Sequence, residues 1–444
     1  MEEPNLDTNG VEPYYATDEL ATLLKPSVSK EDDDKSQNSG VTYVTFLLCG
    51  LCTVFPWNVF ITAKPYFDFK LDNNDTANSN NITHQYQDAL EVFFGIGSQV
   101  TGLLMQLIMT SVIHRISLKI RMYIPLVGML LIFLATAILT WIPVDDWVSL
   151  FFYFTVASVI VISVCAAIFQ LSTFGLAGVF PKEFTHATMI GQGVGGLAVS
   201  AFEIFVLLII NQYVISGFIY FLCAMAVIFV TIFFFDAMTR QAFAAPYLND
   251  AAFEDSNNIQ SDKHKSKPPF LKIFSKIYVP AISVCLIFAV TLGNFPSVIS
   301  LIESTSTNPQ WRDTFFTPVV CFLFFNFWDF LGRTSSFLQI PSEKHMGILA
   351  VLAISRLAFY PLFAFCNIIP RDNTDVYFKH DAFPMVFVSL LGCSNGYLGS
   401  LCVMYGPKLV EPEHQETAGA IMSFFLVLGL AIGSVSALIV INII

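Results

Sequence analysis

The sequence of 444 residues predicts an all-α membrane protein with eleven transmembrane helices, and three observations lead there. Hydrophobic residues make up 55% of the chain and charged ones 13%, too little polar surface to coat a soluble globule of this size. Eleven segments approach the roughly 20 apolar residues needed to cross a ~30 Å hydrocarbon core. Lysine and arginine are distributed unequally between alternate connections, as the orientation rule for membrane helices requires.

The first forty residues carry ten acids against three lysines and form a solvated, acidic cytoplasmic tail. They lack a basic start followed by an apolar core, so the first apolar helix is expected to direct insertion itself. The spans fall near 41–63, 90–113, 122–142, 149–173, 187–210, 213–236, 276–301, 314–338, 347–368, 382–405 and 417–443. Backbone groups in lipid must find partners within their own segment, so these runs are helices, and their length excludes barrel strands. Residues 237–275, with the basic run KHKSK, join a six-helix half (41–236) to a five-helix half (276–444) as a cytoplasmic linker.

With the amino terminus inside, twelve lysines and arginines lie in inner loops and five in outer ones, which places the carboxyl terminus outside or in a lumen. The loop between the first two spans agrees with that orientation. It holds two sequons for N-glycosylation, at Asn74 and Asn81, in a polar stretch.

The strongest polar signal inside a span is CFLFFNFWDFLGRTSS in the eighth. Phe322, Asn326, Asp329 and Arg333 step by four, three and four, so they share one helical face. A charge at the bilayer centre costs at least ~2.5 kcal/mol on insertion scales, which directs that face toward protein. At i,i+4 Asp329 and Arg333 neutralise each other and retain donors and acceptors, either for a ligand or as a brace to a neighbouring helix.

Three other segments add polar groups. In the first span Pro56 interrupts the backbone pattern, with Trp57 and Asn58 beside it; the indole is placed either to stack on a flat ligand or to sit in an interfacial belt. In the fourth, Ser163, Ala166, Gln170 and Thr173 form a small or polar stripe, suited to a heterocyclic edge or to helix packing, and Gln99 in the second is similar. GQGVGG at 191–196 matches a dinucleotide fingerprint by letter but lacks the preceding strand, so its glycines read as a packing face, as do Gly429 and Gly433.

The nine cysteines lie in apolar segments and the histidines near helix ends without metal spacing, so neither a metal, a cofactor nor an enzymatic centre is expected. Of the aspartates only Asp329 lies well inside a span, too few for an intramembrane aspartyl protease.

Taken together, PWNVFITAKPYF at 56–67, FGLAGVFPKEFTHATMIGQGVGG at 174–196, WDFLGR at 328–333, SNGYL at 394–398, YGPK at 405–408 and ETAGAIMSFF at 416–425 are similar to the signatures of the equilibrative nucleoside transporters. The resemblance covers about residues 40–444. It implies a bundle of six plus five helices like a major-facilitator fold without its twelfth helix. It also implies passive movement of nucleosides such as adenosine and uridine, and of some nucleobases, by alternating access. Nucleic acid is not an expected partner, and the sequence sets no oligomeric state.

By the same resemblance, Trp57 and Gln170 contact the base and Asp329 and Arg333 the ribose, with Gln99 near a binding position. Ile61, Pro296, Phe322 and Asn326 match positions near the outer gate. Ala166 stands where inhibitor-sensitive members have glycine, which argues against strong block by nitrobenzylthioinosine-type compounds. A proton-coupled or organic-cation carrier with Asp329 as counter-ion is the alternative within the family. The plasma membrane is the expected location; the ExxxLL pattern at Glu19–Leu24 resembles endolysosomal sorting signals and supplies the alternative.

Overall fold

In the computed structural model the described residues are 30–71, 90, 94, 97–144, 146–209, 212–250, 268–371 and 375–444. The sequons at Asn74 and Asn81 and the KHKSK run lie outside them.

Among the described residues the chain is helical, apart from short bridges between connecting segments. The first half comprises α1 (Lys30–Thr62), α2 (Ser98–Val112), α3 (Leu118–Leu139), α4 (Val148–Val179), α5 (Lys182–Ile209) and α6 (Tyr213–Thr239). The second comprises α7 (Phe270–Asn294), α8 (Trp311–Leu338), α9 (Glu343–Ala364), α10 (Ala382–Tyr405) and α11 (Gln415–Ile443). Ten of the described helices are long and apolar enough to cross a membrane. The eleventh expected span is represented by the 15 residues of α2.

Several boundaries differ from the sequence expectation. Helix α1 begins at Lys30, inside the expected tail. It also runs through Pro56 without a break and ends at Thr62, before a short helix Lys64–Leu71. The side-chain amide of Asn58 donates to the Val54 carbonyl at 3.0 Å in the turn that contains the proline. Helix α8 opens with wide π-helical turns over Trp311–Phe315 and Thr317–Leu323 before tightening at Phe324.

Glycines set how closely the helices cross. A Cβ on Gly50 would meet the Thr188 carbonyl and one on Gly191 the Leu47 carbonyl, so α1 and α5 touch backbone to backbone. Gly332 and Gly396 do the same between α8 and α10, against the carbonyls of Cys393 and Asp329. Gly429 and Gly433 face the Cys285 and Ala289 carbonyls of α7. The GQGVGG run is therefore a two-sided packing surface, with Gly191 and Gly195 against α1 and Gly193 and Gly196 against α8.

Each half has its own apolar core. In the first, Phe60, Phe67, Phe94, Phe133, Phe151 and Phe221 form a cluster of stacked, edge and tilted ring contacts. The second is built on α7 with α11 and on α8 with α10. Large apolar side chains that remain exposed, among them Leu131, Phe229, Phe233 and Val351, lie on outward faces as lipid contact requires. The halves meet along α4 with α11, α2 with α11, and α5 with α8.

Candidate functional site

Two adjoining cavities lie between the halves. The smaller, about 180 Å³, is bounded by α1, α2, α4 and α11 and includes Gln99, Gln106, Ser163, Ala166 and Gln170. On α4 the lining positions 162, 163, 166, 167 and 170 step by one, three, one and three, a single helical stripe that contains the expected Ser163, Ala166 and Gln170. Thr173, the fourth member of that stripe, is instead buried with its hydroxyl unpartnered.

The larger cavity, about 630 Å³, is lined by Ile61, Pro296, Phe322 and Asn326 together with residues of α5 and α11. Asn58, Gln99 and Leu430 line both cavities and form their common wall. Thr62, Lys64, Pro296 and Ser297 place the larger cavity toward the ends where α1 and α7 finish, here called the far face. The wide turns at the start of α8 lead directly to Phe322 at its margin.

Asp329 and Arg333 line neither cavity. They continue the α8 face beyond Asn326 into the contact with α5 and α10, where they are 4% and 6% exposed. The Asp329 carboxylate accepts through Oδ2 from Arg333 Nε at 2.6 Å and through Oδ1 from Asn395 Nδ2 at 2.7 Å. Arg333 Nη1 donates to Gln192 Oε1 at 2.9 Å, and Gln192 Nε2 donates to Thr53 Oγ1 at 3.0 Å. The chain extends the other way from Asn395, whose Oδ1 lies 2.8 Å from Thr291 Oγ1, to Arg356 Nη2, which donates to that hydroxyl at 2.6 Å.

The pair is therefore not an isolated neutral unit, as its spacing alone suggests. Arg356, 2% exposed, stands behind it and is linked to the carboxylate through Thr291 and Asn395, so the buried cluster of two guanidinium groups and one carboxylate carries a formal charge of +1. One turn nearer the far face, Asn326 Nδ2 donates to Ser200 Oγ at 2.7 Å, in the space that Gly196 leaves open.

Polar bonds between the halves continue to the opposite end, here called the linker face. Lys408 Nζ donates to the carbonyls of Gly178 at 2.9 Å and Phe180 at 2.7 Å. Lys182 pairs with Glu343 at 2.7 Å, and Arg121 with Glu416. These bonds latch the linker face while the larger cavity lies toward the far face.

Of the residues singled out in the sequence, Gln99 and Gln170 share the smaller cavity, and Gln99, Ile61, Pro296, Phe322 and Asn326 share the larger. The backbone of Trp57 lies on α1 beside Asn58; its side chain is outside the described residues. Among the polar residues inside spans that the sequence reading gives no role are Gln192, Glu203, Arg356 and Asn395. Each is visible as a polar letter in an apolar run, but only the tertiary structure supplies the partners of Gln192, Arg356 and Asn395 and sets Glu203 on the wall of the larger cavity. Glu203 also shows that Asp329 is not the sole carboxylate inside a span.

This arrangement, two helical halves around shared cavities, is the architecture of a membrane carrier. It is similar to the structure of the major-facilitator proton:xylose symporter XylE bound to 6-bromo-6-deoxy-D-glucose, with a TM-score of 0.59 over 90% of this chain and 88% of that one at 9% identity. That likeness bears on the fold alone. A family model described as nucleoside transporter matches residues 156–441. Mouse equilibrative nucleoside transporter 1 is 35% identical over 442 residues, covering 88% of this chain and 95% of its own. Human equilibrative nucleoside transporter 2 is 30% identical, covering 88% and 94%. The chain belongs to the equilibrative nucleoside transporter family.

Proposed function

We propose that this protein carries nucleosides across a membrane down their gradients, by alternating access between its two halves. The observation that carries the reading is the pair of cavities between the halves, latched at the linker face and lined by amides and apolar groups. A volume of about 630 Å³ suits a small ligand. A flat solute with several hydroxyls fits a mostly apolar lining into which the amides of Asn58, Gln99 and Asn326 and the hydroxyls of Thr62, Ser200 and Ser434 are set.

In this reading the chain spans the membrane eleven times, with its amino terminus and the 237–275 linker in the cytoplasm, its carboxyl terminus outside and Asn74 and Asn81 glycosylated. The base lies against Trp57 and Gln170, with Gln99 beside it. The sugar points toward Asp329 and Arg333, and Ile61, Pro296, Phe322 and Asn326 form the outer gate. Because Arg333 Nη1 is engaged by Gln192, a sugar hydroxyl reaches it by replacing that amide. Closure at Phe322 and Pro296, with release of Lys408 from the Gly178 and Phe180 carbonyls, would open the linker face.

Asp329 as counter-ion for a proton-coupled or organic-cation carrier is disfavoured, because both of its oxygens already accept hydrogen bonds from the protein. The plasma membrane remains the proposed location; surface biotinylation checks it. Uptake of labelled uridine and adenosine by transporter-null cells expressing the chain tests the function. Saturable uptake supports it, and uptake at background with the protein at the surface refutes it.

A further inference from the structure

We propose that Glu203 gives the nucleoside pathway a recognition site for a protonated amine, so that the far-face cavity favours positively charged nucleoside analogues over their neutral counterparts. The inference rests on the nucleoside-carrier reading for the cavity's main occupant and adds a charge preference to it.

Glu203 lies on α5, within a span, where an ionisable side chain demands a reason. The positions of α5 that line the larger cavity are 196, 199, 200 and 203, which step by three, one and three. They form one face of the helix, and Glu203 is its far-face end. The carboxylate therefore meets the cavity one turn beyond Ser200, which holds Asn326 of α8 at 2.7 Å.

Two charged residues line this cavity, Glu203 and Lys64. Lys64 is committed to Asp68 at 3.0 Å. Among the described residues Glu203 has neither a hydrogen bond nor an ion pair. The contrast with Asp329 is direct: one intramembrane carboxylate is used up inside the protein, the other is left facing the space a solute enters. A carboxylate in a partly desolvated, apolar-walled cavity gains from a cationic occupant and opposes an anionic one. An ammonium on a nucleoside supplies three donors of the right charge to that carboxylate.

The test compares, in wild type and in Glu203→Gln, the concentrations at which 5′-amino-5′-deoxyuridine and neutral 5′-deoxyuridine block uptake of labelled uridine into proteoliposomes. The readout is the ratio of the two within each protein, so a general loss of activity cancels. The expected result is that the amino compound is favoured in wild type and that Glu203→Gln lowers this preference by about fivefold, the worth of one partly hydrated ion pair. An unchanged ratio overturns the proposal while leaving the carrier reading intact. Absence of saturable uridine uptake in wild type overturns the carrier reading instead. Thermal-shift titration of the purified full chain with both compounds then decides Glu203 independently: stabilisation by the amine that is lost in Glu203→Gln supports it, and equal stabilisation of both proteins refutes it.

Discussion

Arg333 on α8 donates through Nη1 to Gln192 Oε1 on α5 at 2.9 Å, a buried bond that ties one half of the protein to the other. Because Gln192 also donates to Thr53 on α1, it connects the charged centre of the second half to the wall of the smaller cavity. Replacing it by leucine leaves a guanidinium donor and a hydroxyl short of partners, a cost of about 1–3 kcal/mol. Gln192→Leu is expected to lower the thermal unfolding temperature and the maximal rate of uridine uptake together. Wild-type values of both would mean that the bond holds nothing.

The formal charges of the buried cluster order a second set of variants. The intact centre, with Arg333, Arg356 and Asp329, carries +1; Asp329→Asn raises it to +2, while Arg333→Ala lowers it to zero. Breaking a buried pair costs about 3–5 kcal/mol, most of it from the charge left behind. Asp329→Asn is therefore expected to reduce the yield of folded protein more than Arg333→Ala, and both reduce transport per molecule at the surface. Surface biotinylation with uridine uptake checks this; the reverse order of yields would contradict the charge argument.

Arg356 reaches Asp329 only through Thr291 and Asn395, so it acts as a positioning residue. It also donates to Ser394 Oγ at 2.5 Å and to the Leu391 carbonyl at 3.3 Å on α10. Arg356→Met leaves a neutral pair and removes the donor that holds the Thr291 hydroxyl beside Asn395. The expected outcome is folded protein with a lower maximal rate, partly restored in Arg356→Lys. A fall in yield matching that of Asp329→Asn, with full activity in what remains, would make Arg356 purely structural.

A pH dependence follows at the far face. Burial pushes the Asp381 carboxyl up, but hydrogen bonds from Ser304 Oγ, Thr305 N, Trp311 Nε1 and Thr305 Oγ1 outweigh it, and the group rests below the usual carboxylate range. A lowered folded value means the contact stabilises fully above the ordinary carboxylate value, about 3.9, and is lost as pH falls through the folded one. Trp311 emission, taken as wild type minus Trp311→Phe, should stay constant down to about pH 4 and change only below it. A midpoint above the ordinary carboxylate value would contradict the hydrogen-bond assignment.

The helices were legible because a span needs only length and apolarity, and α10 was placed at 382–405, where it lies. Helix ends were less so: α4 runs six residues past the expected 173, to Val179, because its last turns pack against α11 and need no lipid. The four-three-four stepping of Phe322, Asn326, Asp329 and Arg333 put them correctly on one face, but periodicity says nothing of depth. Phe322 and Asn326 reach the cavity, while Asp329 and Arg333 are enclosed by Gln192 and Asn395. Arg356 and Glu203 are equally plain as charged letters in apolar runs. Their opposite fates, one buried behind Asp329 and the other on a cavity wall, depend on contacts between helices far apart in sequence.

Counterflow in proteoliposomes made from the purified chain tests the central claim most directly. Vesicles loaded with unlabelled uridine and diluted into trace labelled uridine should accumulate label transiently above its external concentration, since only a carrier exchanges one molecule for another across the membrane. Accumulation that never exceeds that of protein-free vesicles, with uridine bound by the same preparation, would contradict alternating access and leave a binding protein without transport.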